Sequence, residues 1–197
     1  MECIILASGS PRRREILTDM GVAFEICAAD VDEACNLGAR AAVAELSRRK
    51  ALAVSAAKPG RIVLAADTLV AVDDVPMGKP RDTEDALAML RKLSGRWHQV
   101  HTGVCVVDTA GGLHAGVDTT DVRFDVVSDE ELRAYIATGE PMDKAGAYAI
   151  QGAAGQWIPE IRGSRTGVIG LPVDLTRRLL AACGVDAAGT KKEESLK

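Results

Sequence analysis

The sequence predicts an α/β fold, in which strands form a sheet and helices cover it. Residues 3–7 form a short apolar run that leads through turn residues into a helical pattern. Residues 39–57 carry apolar side chains at helical spacing, at positions 39, 43, 46, 53 and 57. Residues 62–66 are unbroken and apolar, as expected for a strand covered on both faces. Together these segments indicate an open α/β sheet.

The composition bounds the size and the partners of the protein. A chain of 197 residues, 47% hydrophobic and 26% charged, fits one globular domain or one domain with two lobes. A net charge of −4 and only 3% aromatic side chains argue against nucleic-acid binding. The five cysteines have neither metal-ligand nor paired spacing, so we expect them to be reduced. No stretch resembles a signal peptide or a membrane span, so we expect a cytoplasmic protein.

The loop after the first strand predicts a phosphate-binding site. The segment Ser8-Gly9-Ser10-Pro11 combines turn residues, an N-cap and a proline suited to the first helical position. Arg12, Arg13 and Arg14 then fall in the first turn, where the helix dipole disfavours cations unless an anion lies opposite. Free N–H groups at a helix N-terminus bind phosphate, and arginines add paired donors. The alternative is a solvated basic turn.

The next elements, a strand over residues 22–28 and the helix over residues 39–57, carry two charged features. Asp30, Asp32 and Glu33 lie together in the connecting loop, either as a cation-binding cluster or as solvated side chains. Lys50 falls on the apolar stripe of the helix, where an inward-facing ammonium needs a carboxylate or phosphate partner. The alternative for Lys50 is that its long side chain reaches the surface.

Asp67 follows the apolar strand over residues 62–66, and a second run over residues 69–72 comes before a turn at Asp73 and Asp74. An aspartate at the carboxyl end of a buried strand lies where open α/β sheets place ligand chemistry. The alternative is an aspartate that only caps a turn. Beyond this turn, Lys79 offers one cation in an extended segment.

The remaining elements are predicted from apolar runs and from helix start and stop signals. Helices are expected from Asp82 to Gly95, from a capping box at Ser128 to Gly139, and from Pro172 to Gly184. Strands are expected over residues 100–107, 113–117, 122–127, 157–158 and 168–171, the first two as a hairpin. Residues 140–152 are rich in small side chains, which let backbone approach a ligand closely. The three histidines lack metal-ligand spacing and are interpreted as structural.

The polar side chains at strand ends and glycine-rich turns point to a polyphosphate ligand. They are Ser8, Arg12, Arg13, Lys50, Asp67, Lys79 and Gln151. Cations beside one or more carboxylates can hold a polyphosphate with Mg²⁺, which binds through few carboxylates and substrate oxygens. Catalysis on such ligands rests mainly on positioning and charge neutralisation.

Six segments carry a more specific signal. They are Leu6-Ala7-Ser8-Gly9-Ser10-Pro11-Arg12-Arg13, Ala66-Asp67-Thr68, Gly78-Lys79-Pro80, His101-Thr102-Gly103-Val104, Asp143-Lys144-Ala145-Gly146-Ala147-Tyr148-Ala149-Ile150-Gln151-Gly152 and Gly170-Leu171-Pro172. In this order they resemble the Maf family of nucleoside triphosphate pyrophosphatases. The resemblance implies one domain over residues 1–187 of the Maf/Ham1 (ITPase-like) α/β type. This fold is an elongated mixed sheet flanked by helices, with two lobes and a central cleft. Residues 188–197 are expected to form a polar, disordered tail.

The resemblance also implies hydrolysis of a nucleoside triphosphate to the monophosphate and pyrophosphate, with Mg²⁺, Mn²⁺ or Co²⁺ as the divalent cation. Asp67 matches the family's proton acceptor, which activates water beside the metal. Glu33 matches an acidic residue of the cleft and is expected to share the metal with Asp67. The residues matched to the triphosphate are Ser8, Arg13, Lys50 and Lys79. The expected partners are the nucleotide and a second copy of the chain, without nucleic acid or membrane.

Three matched positions separate the branches of the family. Arg12, Thr68 and Gln151 fit the branch that acts on dTTP and UTP, and on modified pyrimidine nucleotides in a house-cleaning role. The branch that acts on 7-methyl-GTP has Trp, Gln and Glu at these positions. Two alternatives stay open: a 7-methyl-GTP pyrophosphatase, and a nucleotide-binding regulator of cell division without catalytic activity.

Overall fold

The structure, a computed structural model, describes residues 3–187. Its strands are β1 (Ile4–Leu6), β2 (Phe24–Ile26), β3 (Val63–Val72), β4 (Val75–Met77), β5 (Trp97–Val107), β6 (Leu113–Arg123) and β7 (Glu160–Arg162). Its α-helices are α1 (Pro11–Asp19), α2 (Ala39–Ala57), α3 (Thr83–Leu93), α4 (Asp129–Ala137), α5 (Arg165–Ile169) and α6 (Val173–Ala182). Short 3₁₀ helices over Glu140–Asp143, Ala145–Ala147 and Ala153–Trp157 fill the segment between α4 and β7.

The strands form one mixed sheet in the order β2-β1-β3-β5-β6-β7, with β4 paired to β3. On one edge of β3, β1 pairs with residues 63–64 and β4 pairs with residues 70–72. On the opposite edge, β5 pairs continuously with residues 63–71. The first edge therefore has a gap around Asp67 and Thr68 where neither β1 nor β4 covers β3. A ligand can reach the middle of the sheet through this gap.

Separate apolar cores lie at the two ends of β3, so the domain has two lobes. In the first lobe, Leu64 packs with side chains of α1 and α6 on one face of the sheet, and Ala65 packs with α2 on the other. In the second lobe, Val70 packs with side chains of α3, α4 and the 3₁₀ segment, among them Leu87 and Trp157. The structure thus confirms the predicted mixed sheet flanked by helices.

Several predictions of strands and of their boundaries were wrong. The runs 62–66 and 69–72 form one strand, so Asp67 lies inside β3, opposite Gly103, and not at a strand end. The runs 113–117 and 122–127 merge into β6 up to residue 123, because β5 pairs with all of it. Residues 168–169 belong to helix α5, whose N-cap Ser164 accepts a hydrogen bond from the N–H of Gly167. Residue 157 ends a 3₁₀ helix, and the next strand begins at residue 160.

The helix predictions agree better with the structure. Asp82 caps α3 by accepting from the N–H of Asp85, and Ser128 forms the predicted capping box of α4 with Glu131. In α2, the stripe is correct at positions 39, 43 and 46 but wrong at 53 and 57, which are exposed. Ala51 and Val54 are buried there. The contact face rotates around α2 because the helix crosses a twisted sheet.

Two further predictions concern the chain as a whole. The tail predicted over residues 188–197 lies outside the described residues, and the single domain over residues 1–187 stays a prediction. Within residues 3–187, no helix is both long and apolar enough to cross a membrane. The five cysteines are free thiols.

Candidate active site

A cleft of about 730 Å³ lies between the two lobes, at the gap beside β3. The residues that the family resemblance matched to the active site or to specificity all line it. They are Ser8, Arg12, Arg13, Glu33, Lys50, Asp67, Thr68, Lys79 and Gln151. The third arginine of the first helical turn, Arg14, does not line the cleft, and neither do His98 and His101. The cleft thus gathers residues that are up to 143 positions apart, counted from Ser8 to Gln151.

The centre of the site is built on β3, whose neighbouring residues point to opposite faces of the sheet. Asp67 faces α2 and contacts Lys50, while Thr68 faces α1 and contacts Arg13. The close approach of α2 depends on Gly103, because a Cβ atom there would lie 2.2 Å from the carbonyl oxygen of Val43. Alternation along one strand therefore brings groups from two helices to a single point.

Lys50 joins two carboxylates. Its Nζ atom lies 2.6 Å from Oδ1 of Asp67 and 2.7 Å from Oε1 of Glu33. The side chains of Lys50 and Asp67 are 12% and 11% exposed, whereas that of Glu33 is 65% exposed. The inward-facing interpretation of Lys50 is confirmed, and its partners are carboxylates. In the acidic loop, Asp32 accepts from the N–H of Ala34, so Glu33 is the member of that cluster that joins the cleft.

The two carboxylates differ in pKa because they differ in burial. Burial raises the pKa of Asp67, although the charge and hydrogen bond of Lys50 oppose this effect. The hydrogen bond from Lys50 lowers the pKa of the more exposed Glu33. A buried carboxylate of raised basicity beside an ammonium is the arrangement expected of a group that accepts a proton.

Arg13 connects α1 to three other parts of the first lobe. Its Nη1 donates to Ser8 Oγ at 3.0 Å, its Nη2 donates to Thr68 Oγ1 at 3.3 Å, and its Nε donates to the carbonyl of Gly170 at 2.9 Å. Burial lowers the pKa of Arg13. Arg13 is thus ordered within the cleft, so the solvated-turn alternative is wrong for this residue.

The opposite wall is formed by loops. Lys79 and Gln151 are exposed, and the two segments that carry them are joined where the N–H of Gly146 donates to the carbonyl of Gly78 at 3.0 Å. Below Gln151, Glu140 accepts from the hydroxyl of Tyr135 at 2.8 Å. This wall is therefore held by hydrogen bonds between loops, and the first wall is held by the sheet.

Within residues 3–187, no group of three or more His, Cys, Asp and Glu side chains is arranged to hold a metal ion. Asp67 and Glu33, however, converge on one point, where each contacts the ammonium of Lys50. Two carboxylates that line the cleft fit Mg²⁺, which commonly completes its coordination with water and substrate phosphate oxygens. The donor set is thus compatible with a cation shared between protein and nucleotide.

Sequence reasoning missed two groups of the site. Thr102 is buried directly beside Thr68, and the carbonyl of Gly170 anchors Arg13. Both lie in segments quoted for the family resemblance, but neither received a role. A threonine inside a strand and a backbone carbonyl carry no distinctive sequence signal, so only the three-dimensional contacts identify them.

Comparison with known proteins identifies the family. Residues 3–183 match the family described as Maf-like protein. The chain belongs to the Maf family. A Maf relative from Chromobacterium violaceum, a dTTP/UTP pyrophosphatase by name, is 50% identical over 93% of this chain and 96% of its own. A dTTP/UTP pyrophosphatase from Anaeromyxobacter dehalogenans (strain 2CP-C) is 48% identical over 92% of this chain and 94% of its own.

Solved structures resemble this Maf protein more distantly. A nucleoside-triphosphatase / dITP/XTP pyrophosphatase from Mycobacterium abscessus has a TM-score of 0.44 and 19% identity, over 64% of this chain and 75% of that one. The Ham1 protein of Staphylococcus aureus has a TM-score of 0.41 and 16% identity, over 62% of this chain and 72% of that one.

Proposed function

We propose that this Maf protein hydrolyses dTTP and UTP to the monophosphate and pyrophosphate. The observation that carries the proposal is the buried Asp67 beside Lys50, in a cleft that also holds Arg13. A proton acceptor and fixed cations are the groups that phosphoanhydride hydrolysis needs. Relatives named dTTP/UTP pyrophosphatase match nearly the whole chain, which supports the same reaction here.

The proposed reaction is the attack of one water molecule on the α-phosphorus. A bond forms between the water oxygen and this phosphorus, and the bond from the α-phosphorus to the oxygen bridging it to the β-phosphorus breaks. Asp67 accepts the proton of the water, and its raised pKa suits that role. Ser8, Arg13, Lys50 and Lys79 bind the triphosphate, and the three cations among them neutralise charge that develops on the leaving pyrophosphate.

Asp67 and Glu33 are the residues that would hold a divalent cation, and we propose Mg²⁺, Mn²⁺ or Co²⁺. When bound, such a cation polarises phosphoryl oxygens and neutralises their charge. Lys50 keeps the two carboxylates close together, because its ammonium contacts both.

Arg12, Thr68 and Gln151 are proposed to select the pyrimidine. Thymine and uracil present one N–H donor between two carbonyl acceptors. A glutamine side chain offers both an acceptor and donors, so Gln151 can pair with this edge through two hydrogen bonds. Modified uracil and thymine nucleotides that keep this edge fall within the same proposed range.

One assay tests the function. Pyrophosphate release is measured with dTTP, UTP, CTP, GTP and 7-methyl-GTP, each with Mg²⁺, Mn²⁺, Co²⁺ or a chelator. We expect the highest kcat/KM for dTTP and UTP, and loss of activity with the chelator. The highest value for 7-methyl-GTP would assign the protein to the other branch. Nucleotide binding without pyrophosphate release from any nucleotide would support the regulator instead.

We further propose a cytoplasmic homodimer, as the family resemblance implies. Sedimentation equilibrium of the full chain tests the dimer, which predicts twice the monomer mass of 20.7 kDa. A single species at the monomer mass would contradict it.

A further inference from the structure

Two threonine hydroxyls meet beneath the cleft. Oγ1 of Thr68 lies 2.9 Å from Oγ1 of Thr102, and Oγ1 of Thr102 lies 2.8 Å from the carbonyl oxygen of Gly167. Arg13 approaches Thr68 from the other side, with Nη2 at 3.3 Å from its Oγ1. Thr102 is 1% exposed, so bulk water does not reach its hydroxyl.

The groups at the two ends of this series of contacts determine which group donates each hydrogen bond. A carbonyl oxygen only accepts, so Thr102 must use its one proton toward Gly167. The contact between the two hydroxyls then requires that Thr68 donates to Thr102. A guanidinium only donates, so Thr68 accepts from Arg13, which agrees with the same direction. The reverse order would place two lone pairs against each other at 2.8 Å in a buried site.

We infer that Thr102 is a positioning residue that makes Thr68 an acceptor, and never a donor, toward the ligand. The inference rests on the proposed function and deepens it. Thr68 lines the cleft, and one lone pair of its hydroxyl remains after the contacts with Arg13 and Thr102. Thr68 is half-buried in the wall of the cleft, so its hydroxyl lies within reach of a ligand there.

Because Thr68 only accepts hydrogen bonds from the cleft, it favours a ligand that presents a hydrogen-bond donor. The N3–H of uracil or thymine is such a donor, and the Thr68 hydroxyl and the amide oxygen of Gln151 can share it in a three-centre hydrogen bond. Cytosine carries a lone pair at N3 and would be repelled by an acceptor there. Thr102, which is buried and not among the residues lining the cleft, thereby contributes to the discrimination between UTP and CTP.

The test compares Thr102→Val with Thr102→Ser. Valine has nearly the shape of threonine but no hydroxyl, so Thr68 regains a proton that it can offer to N3 of cytosine. We expect the ratio of kcat/KM for UTP to that for CTP to fall about 10-fold, mainly because CTP improves. Thr102→Ser keeps the hydroxyl and should keep the wild-type ratio. An equal change for both nucleotides in Thr102→Val would overturn the inference and indicate a structural role only.

Two further measurements complete the design. If Thr102→Val does not fold by circular dichroism, Thr102→Ala is compared with Thr102→Ser in the same way. The ratio of UTP to 3′-deoxy-UTP is measured as well, because a sugar hydroxyl is also a donor. If Thr102→Val changes the ratio of kcat/KM for UTP to that for 3′-deoxy-UTP but not the ratio for UTP to CTP, Thr68 contacts the sugar. That result would overturn the proposal that Thr68 contacts the base.

The wild-type protein separates this inference from the proposed function. Absence of pyrophosphate release from every nucleotide would contradict the function before any variant is considered. A wild-type preference for UTP that Thr102→Val retains would contradict only the role of Thr102.

Discussion

The two walls of the cleft are built differently. The sheet wall carries Asp67, Lys50 and Arg13. Lys50 donates to Asp67, and Arg13 donates to Thr68 of β3 and to the carbonyl of Gly170. The loop wall carries Lys79 and Gln151, which are exposed and belong to segments without regular strands or α-helices. In the proposed mechanism, the groups that react lie on the fixed wall, while Lys79 and Gln151 contact the ligand from a less rigid support.

Asp67→Asn tests the sheet wall and should have the largest effect. An amide keeps the shape of the side chain but cannot accept the proton of water or hold a cation. We expect kcat to fall about 10²- to 10⁴-fold, measured by pyrophosphate release from UTP, with nucleotide binding retained. Asp121→Asn is the matched control, because its carboxylate accepts from Gln99 on the same sheet but does not line the cleft. Substantial activity in Asp67→Asn would exclude Asp67 as the base.

Two alanine variants compare the walls, because Arg13→Ala removes a cation from the sheet wall and Lys79→Ala removes one from the loop wall. Each should weaken triphosphate binding by about 1.5–3 kcal/mol, roughly 10- to 150-fold, and equally for every base. Arg13→Ala should also lower the free energy of unfolding, because it removes three hydrogen bonds within the protein. Lys79→Ala should leave it unchanged, because Lys79 is exposed. Isothermal titration and urea unfolding measure both quantities, and a loss limited to one base would contradict the phosphate role.

Gln151→Glu tests recognition by the loop wall. A carboxylate accepts but does not donate, so it faces a pyrimidine carbonyl with repulsion. We expect kcat/KM for dTTP and UTP to fall about 10- to 100-fold. Activity on 7-methyl-GTP, whose base presents two donors, should rise modestly, because Arg12 and Thr68 are unchanged. Equal losses for dTTP, UTP, CTP and 7-methyl-GTP would mean that Gln151 only supports its turn.

Lowering the pH should destabilise the second lobe through a buried histidine, and it should not change the reaction at neutral pH. His98 is 3% exposed beside Tyr148, and burial lowers its pKa from 6.5 to about 4. Between pH 4 and pH 6.5, the imidazole of His98 binds a proton in the unfolded chain but not in the folded protein. The contribution of His98 to the free energy of unfolding should therefore fall by about 3 kcal/mol as the pH drops from 7 to 4. His98→Gln does not titrate, so urea unfolding should show a smaller pH dependence. The same slope in both proteins would contradict this origin.

The sequence predicted the ligand-facing residues of both walls, but it did not predict how the strands of the sheet wall pair. Local signals such as the capping residues of α3 and α4 act over three positions, and they located these helices correctly. The apolar run before Asp67 wrongly predicted a strand end there, because a local pattern could not show that β3 continues. That continuation depends on pairing with β5, where the partner of Asp67 is Gly103, 36 positions further along the chain. The role of Thr102 depends on contacts with Gly167 and Thr68, which no local pattern encodes.

The bond from Arg13 to Gly170 joins residues 157 positions apart. During synthesis, Ser8, Lys50 and Asp67 are translated early. The hydrogen bond from Arg13 to Gly170 cannot form until residue 170 has left the ribosome. Fragments that end before this point lack the anchor of the guanidinium. The arginine site of the cleft should therefore be complete only when translation of residues 3–187 is almost finished.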